Sequence, residues 1–107
     1  MSRNIAQEIQ EMIDQTNVVL FMKGNKHMPQ CGFSAAAVNM LNELGVSFKD
    51  VNVLSDPQLR QGIKDFSDWP TVPQLYVRGT FVGGSDIMRE MHESGELRAT
   101  LGDAATA

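Results

Sequence analysis

Five consecutive apolar residues, Val18–Met22, constrain the fold of this chain more than any other segment. The run is rich in branched side chains, is short for a helix and lies between Asn17 and Gly24, so it predicts a buried strand. It is also the longest apolar run, whereas a membrane-spanning helix needs roughly 20 such residues. Apolar residues between Ile5 and Ile13 alternate with Gln and Glu and do not form the apolar core of a secretory signal. We therefore expect no membrane segment.

Helical and strand patterns alternate along the rest of the chain. Apolar residues at helical spacing predict an amphipathic helix over residues 4–16. A second helix follows Cys31 and ends at Gly45, and a third begins at Ser55 or Asp56 with Pro57 in its first position. The other predicted elements are a loop over 24–30, strands over 47–53, 74–77 and 80–82, a helix from 85, a short helix over 96–101, and a frayed tail over 102–107.

This order, α-β-α-β-α-β-β-α, predicts an α/β fold. A strand, a crossover helix and a second strand form a parallel pair, and the last two strands form an antiparallel hairpin. We expect a single domain over residues 1–107, with a mixed four-stranded sheet and helices on both faces.

Charge and cysteine content exclude several functions. Nine Lys and Arg against thirteen Asp and Glu give a net charge of −4, so the basic excess typical of nucleic-acid binding is absent. Cys31 is the one cysteine, so an internal disulfide is impossible and a reducing compartment is favoured.

Cys31 directly precedes a predicted helix, where free N–H groups and a partial positive charge stabilise a thiolate. Lys23, at the end of the first strand, would act in the same direction. The residue types leave open an inert core cysteine, a reactive thiol, or a Cys–His nucleophile with His27. Pro29 and Gly32 favour an exposed loop and hence a reactive thiol, and no carboxylate stands at a spacing that would orient His27.

Three motifs around this thiol resemble those of a known family. Lys23-Gly24, four residues, Pro29, one residue and Cys31-Gly32-Phe33-Ser34 resemble the active-site segment of monothiol glutaredoxins of the CGFS type. Trp69-Pro70-Thr71-Val72-Pro73 and Gly83-Gly84-Ser85-Asp86 resemble two further motifs of that family, in the same order. One tetrapeptide would be a weak signal, but three spaced motifs within residues 4–102 are specific.

The resemblance implies a thioredoxin-like fold, glutathione as ligand and Cys31 as both catalytic thiol and metal ligand. Its cis-proline turn would direct the backbone of Val72 toward the thiol. Ser85 and Asp86 would receive the γ-glutamyl end of glutathione, and Lys23 and Arg60 would oppose its carboxylate charge.

The basic residues of the third helix have another interpretation, and Ser34 limits the chemistry of the thiol. On the residue types alone, Arg60 and Lys64 are typical of a solvated face with weak pairs to Asp56 and Asp68. Ser34 stands where dithiol relatives have a second cysteine, so a mixed disulfide on Cys31 needs an external thiol to resolve it.

Two functions remain in view. The first is a carrier of a [2Fe–2S] cluster, shared by a homodimer through two Cys31 thiolates and two glutathiones, that acts in iron–sulfur cluster assembly with BolA-type and recipient proteins. The second is a glutathione-dependent thiol–disulfide oxidoreductase that uses Cys31. The resemblance favours the carrier, because proteins of this type are poor general oxidoreductases, and it is consistent with the cytoplasm or an organellar matrix. A pure adaptor without a cofactor is disfavoured by the position of Cys31.

Overall fold

The computed structural model describes residues 3–102. Every predicted helix and strand is present, and each bound that the sequence predicts is correct to within two residues. In chain order the elements are α1 (Ile5–Gln15), β1 (Val18–Met22), β2 (Gly24–Asn25), β3 (Met28–Pro29), α2 (Gly32–Glu43), β4 (Lys49–Asn52), a 3₁₀ turn (Val53–Ser55), α3 (Pro57–Ser67), β5 (Gln74–Val77), β6 (Thr80–Gly83), α4 (Ser85–Ser94) and α5 (Glu96–Leu101).

The main sheet has the strand order β4-β1-β5-β6. β1 is parallel to β4, to which α2 connects it, and antiparallel to β5, while β5 and β6 form the expected antiparallel hairpin. The prediction of a mixed four-stranded sheet is therefore confirmed, with the apolar run Val18–Met22 as one of its two central strands.

Helices cover both faces of this sheet, as predicted. Alternate residues of β1 point to opposite faces: Val18, Leu20 and Met22 pack with α2, α4 and α5, whereas Val19 and Phe21 pack with α1 and α3. Because β1 has apolar residues on both faces, all five of its residues are buried. The sheet thus has a hydrophobic core on each side.

The loop predicted over residues 24–30 contains a small hairpin, β2–β3, which the sequence did not indicate. Asn52 accepts the backbone N–H of Gly24 at 3.0 Å, and Asp50 accepts that of Lys26 at 2.9 Å. Gly24 has φ +86°, and a Cβ there would lie 2.5 Å from the Met28 carbonyl oxygen. The hairpin is therefore fastened to the edge strand β4.

The predicted strand over 47–53 is shorter than expected. It is limited to β4, since Asn52 also accepts the N–H of Leu54 at 2.9 Å and thereby begins the 3₁₀ turn. At the start of α3, Asp56 rather than Ser55 is the capping residue, and its side chain accepts the N–H of Leu59.

Ion pairs differ from the sequence-based expectation. The Asp56 carboxylate pairs with Arg3 at 2.8 Å rather than with Arg60. Neither of the pairs expected within α3 forms among the ion pairs of residues 3–102.

The remaining expectations concern the end of the chain and the membrane. Gly102 closes α5 through its N–H to the Arg98 carbonyl, and residues 103–107 of the predicted tail lie outside the described part of the chain. None of the helices within residues 3–102 has the length and apolar character required to cross a bilayer.

Candidate functional site

Cys31 is the N-cap of α2. Its backbone is extended, and its Sγ accepts the backbone N–H of Ser34 at 3.4 Å. The side chain is partly exposed rather than part of the core, which excludes the inert core cysteine considered from the sequence.

Several neighbours stabilise the thiolate of Cys31. Partial burial opposes ionisation, but hydrogen bonds from Ser34 and from the backbone of Phe33, together with the positive charge of Lys23, outweigh it and lower the pKa of Cys31. The Ser34 hydroxyl lies 3.6 Å from Sγ and accepts the Lys23 backbone N–H at 3.0 Å, so its own proton is available to the sulfur. The site therefore favours a nucleophilic, metal-binding form of the thiol.

A groove of about 170 Å³ lies next to the first turn of α2, where Phe33 lines it; Cys31 itself is not among its lining residues. Three of the residues predicted to bind a ligand, Val72, Ser85 and Asp86, line it together. Val72 and Ser85 are buried, Asp86 is exposed, and the Val72–Pro73 peptide bond is cis, as the resemblance implies. The full lining consists of Phe33, Trp69, Thr71, Val72, Pro73, Ser85 and Asp86.

The start of α4 forms one end of this groove. Its N-cap is Gly84, which provides no side chain to bond the first N–H groups of the helix. Gly83 has φ +146°, and a Cβ there would lie 2.8 Å from the Ile87 Cβ. The two glycines therefore leave the backbone donors of the first turn open to a ligand with an anionic group.

The two predicted basic residues lie in different surroundings. Lys23 follows β1, and its positive charge lowers the pKa of the Cys31 thiol. Its backbone N–H donates to the Ser34 hydroxyl, which lies beside the sulfur. Arg60 lies in the first turns of α3 and is not among the groove-lining residues, so the structure does not bring it together with Val72, Ser85 and Asp86. Within residues 3–102, its buried Nε has no hydrogen-bond partner.

Sequence reasoning missed two contributors to the site. From the sequence, Ser34 is notable only as the replacement of a second cysteine, although its position three residues after an N-cap residue is a signal for the hydrogen bond to Sγ. Phe33 is 62% exposed and lines the groove, which nothing in the sequence indicates beyond its place in a motif.

The histidines do not support a Cys–His nucleophile. His27 is exposed at the turn of the β2–β3 hairpin, and its backbone N–H donates to the Asn25 side chain. His92 Nε2 lies 2.9 Å from Glu43 Oε2, which joins α4 to α2. Residues 3–102 also contain no group of three or more His, Cys, Asp or Glu side chains that could hold a metal ion.

Solved structures of similar shape define the class of protein. The reduced apo form of poplar GrxS14 has a TM-score of 0.81 and 46% identity, and the alignment covers 94% of this chain and 93% of that one. The holo form of glutaredoxin C1 from Populus tremula x tremuloides has a TM-score of 0.84 at 27% identity, with 96% and 91% covered. The fold is thus the thioredoxin-like fold of glutaredoxins.

Sequence comparisons give the family. A family model described as Glutaredoxin matches residues 18–82. The Rickettsia typhi protein named probable monothiol glutaredoxin 2 is 57% identical over 95 residues, which cover 89% of this chain and 86% of that protein. Monothiol glutaredoxin-5, mitochondrial, of Lachancea kluyveri is 51% identical, with 97% and 75% covered. The chain belongs to the glutaredoxin family, as one of its monothiol members.

Proposed function

We propose that this protein carries a [2Fe–2S] cluster that two copies of the chain share, with two Cys31 thiolates and two bound glutathione thiolates as ligands. The observation that carries the proposal is a stabilised, partly exposed thiolate on the chain's one cysteine. Phe33, two residues further along α2, lines a groove with open backbone donors.

The number of ligands supports the sharing of the cluster. A [2Fe–2S] cluster takes four ligands, typically thiolates. One chain supplies one cysteine thiolate, because Cys31 is its one cysteine. Two chains supply two thiolates, and external thiols must supply the others. Glutathione is the thiol that the glutaredoxin family binds.

The surroundings of the thiol fit the charges of glutathione. Its γ-glutamyl carboxylate matches the open N–H groups at the start of α4, and Asp86 offers a partner for its ammonium group. The positive charges of Lys23 and Arg60 would oppose its glycyl carboxylate. The backbone of Val72 would pair with the extended peptide between them.

Exposed apolar side chains near the thiol support a partner surface. Met28, on the hairpin before Cys31, is 66% exposed, and Phe33, in the first turn of α2, is 62% exposed. Exposed apolar groups around a reactive centre are typical of interaction surfaces. We place the second copy, BolA-type partners and cluster recipients at this surface, in a reducing compartment such as the cytoplasm or an organellar matrix.

Glutathione-dependent reduction of protein mixed disulfides is the second candidate, favoured by the lowered pKa of Cys31. The thiolate would attack the glutathione sulfur of a mixed disulfide, releasing the protein thiolate and leaving glutathione joined to Cys31. A second glutathione thiolate would then attack that disulfide, releasing oxidised glutathione and restoring Cys31. Ser34 cannot perform this second attack.

Anaerobic reconstitution with iron, sulfide and glutathione tests the carrier function. We expect the visible absorption of a [2Fe–2S] cluster in the wild-type protein and its loss in Cys31→Ser. His27→Ala is the matched control. Histidine is a residue type that can bind metals, and His27 is exposed and lies four residues before Cys31. The His27→Ala variant should retain the cluster. Full occupancy in Cys31→Ser, or a wild-type protein that forms no cluster, would contradict the carrier function.

A further inference from the structure

Gln74 is a fully buried polar residue whose side chain does not line the groove. Its backbone is held in β5, opposite Phe21 of β1. Its side-chain Nε2 donates to the Thr71 carbonyl at 3.0 Å and to the Trp69 carbonyl at 3.4 Å. Its Oε1 accepts the Tyr76 hydroxyl at 3.3 Å. Both the nitrogen and the oxygen of this buried amide therefore have hydrogen-bond partners.

These bonds act on one wall of the groove. Four of its seven lining residues, Trp69, Thr71, Val72 and Pro73, belong to the segment 69–73 that Gln74 holds. At the other end of this segment, Ser67 Oγ accepts the Trp69 N–H at 3.2 Å. The Gln74 side chain thus connects a fixed strand to the loop that carries the Val72 backbone.

We propose that Gln74 is a positioning residue for glutathione, which sets the place of segment 69–73 and so of the Val72 backbone in the groove. This inference rests on the proposed glutathione site and adds to it a buried residue that does not line the groove.

The chemistry of the amide explains why glutamine suits this position. Two carbonyl acceptors and one hydroxyl donor surround it, so the side chain must offer two N–H donors and one acceptor. Burial raises the pKa of Tyr76 to about 12, which keeps its hydroxyl protonated as a donor. An ionised glutamate would offer no donor to the two carbonyls, and methionine would fill the space without any hydrogen bond.

The test measures how strongly Cys31 forms a mixed disulfide with two different thiols. Intact mass in glutathione redox buffers gives one equilibrium constant, and the same measurement with 2-mercaptoethanol, which lacks both carboxylates and the peptide backbone, gives the other. The properties of the Cys31 thiol enter both constants and cancel in their ratio. The ratio therefore measures how much the groove contributes to binding glutathione. We expect Gln74→Glu and Gln74→Met to lower the ratio by about tenfold, the effect of one net hydrogen bond.

Tyr76→Phe is the matched control. It removes a bond to the same amide but leaves both donors on segment 69–73, so the ratio should stay within about twofold of wild type. Trp69, the chain's one tryptophan, gives a second measurement, since its emission should shift in the Gln74 variants. A lower melting temperature with an unchanged ratio and emission would show a purely structural role and overturn the inference. A wild-type protein that does not prefer glutathione to 2-mercaptoethanol would instead overturn the glutathione site itself.

Discussion

Ser34→Ala tests the origin of the reactive thiol. The substitution removes a hydroxyl that is buried 3.6 Å from Cys31 Sγ and 3.0 Å from the Lys23 backbone nitrogen. It leaves the Ser34 backbone N–H, 3.4 Å from the sulfur, in place. Since alanine is also the best helix former, the change isolates the hydroxyl from the rest of the α2 start.

The expected size follows from the strength of one hydrogen bond. A bond to a charged group contributes about 1.5–3 kcal/mol, and the 3.6 Å separation places this one at the lower end. About 1.4 kcal/mol corresponds to a factor of ten in the ratio of thiol to thiolate, so loss of this bond should raise the pKa of Cys31. Below the pKa the thiolate population then falls about tenfold, but the more basic thiolate is about threefold more nucleophilic. Alkylation should therefore slow about threefold at low pH and quicken about threefold at high pH.

Alkylation of the one cysteine by iodoacetamide, followed by intact mass across pH, measures both effects. Lys23→Met is the matched control: the charge of Lys23 has the smallest effect on this pKa, so the shift should be smaller and should shrink with added salt. An unchanged pKa in Ser34→Ala, or a smaller shift than in Lys23→Met, would refute the hydrogen-bond account.

Three further changes test the ligand site, the N-terminal ion pairs and the hairpin. Arg60→Ala should weaken cluster retention at low glutathione more than at high glutathione, measured by visible absorbance, because excess ligand compensates by mass action; a loss independent of glutathione would indicate a folding defect. Hydrogen bonds from Arg3 lower the pKa of Glu8 and of Asp56. The ion pairs therefore stabilise the fold at every pH above the ordinary carboxyl pKa. This stabilisation is lost as the pH falls from there through the lowered pKa values of the folded protein. In acid-unfolding curves, Arg3→Ala should therefore lose stability at neutral pH and show a shallower decline in acid; an unchanged decline would contradict this. Asn52→Ala should lower the free energy of unfolding by about 1–2 kcal/mol and speed hydrogen exchange in the 24–30 hairpin; unchanged exchange there would show that Asn52 does not hold it.

The sheet could be predicted from the sequence because its signals are local. Val18–Met22 and Gln74–Val77 have the predicted bounds, since short apolar runs between turn residues leave few alternatives. The cap at Asp56 and the positions of Cys31, Ser85 and Asp86 at helix starts follow from equally local patterns.

The features that sequence reasoning missed depend on partners far apart in the chain. The hairpin at 24–30 is held by Asn52, 28 positions from Gly24, which no periodicity reveals. Arg3 rather than Arg60 pairs with Asp56 because α1 packs beside α3. Gln74 carries no apolar pattern of its own, so its bonds to the groove wall are visible only once the loop has folded over it.

The central claim, that two chains share one cluster through Cys31 and glutathione, is tested most directly by sedimentation of the reconstituted protein. Absorbance is followed at a cluster wavelength and a protein wavelength, and bound glutathione is counted. All cluster absorbance should sediment with a dimer that holds two glutathiones per cluster, and the apo protein should sediment mainly as a monomer. A stable cluster on a monomer, or one retained after complete removal of glutathione with no substitute thiol, would contradict the account.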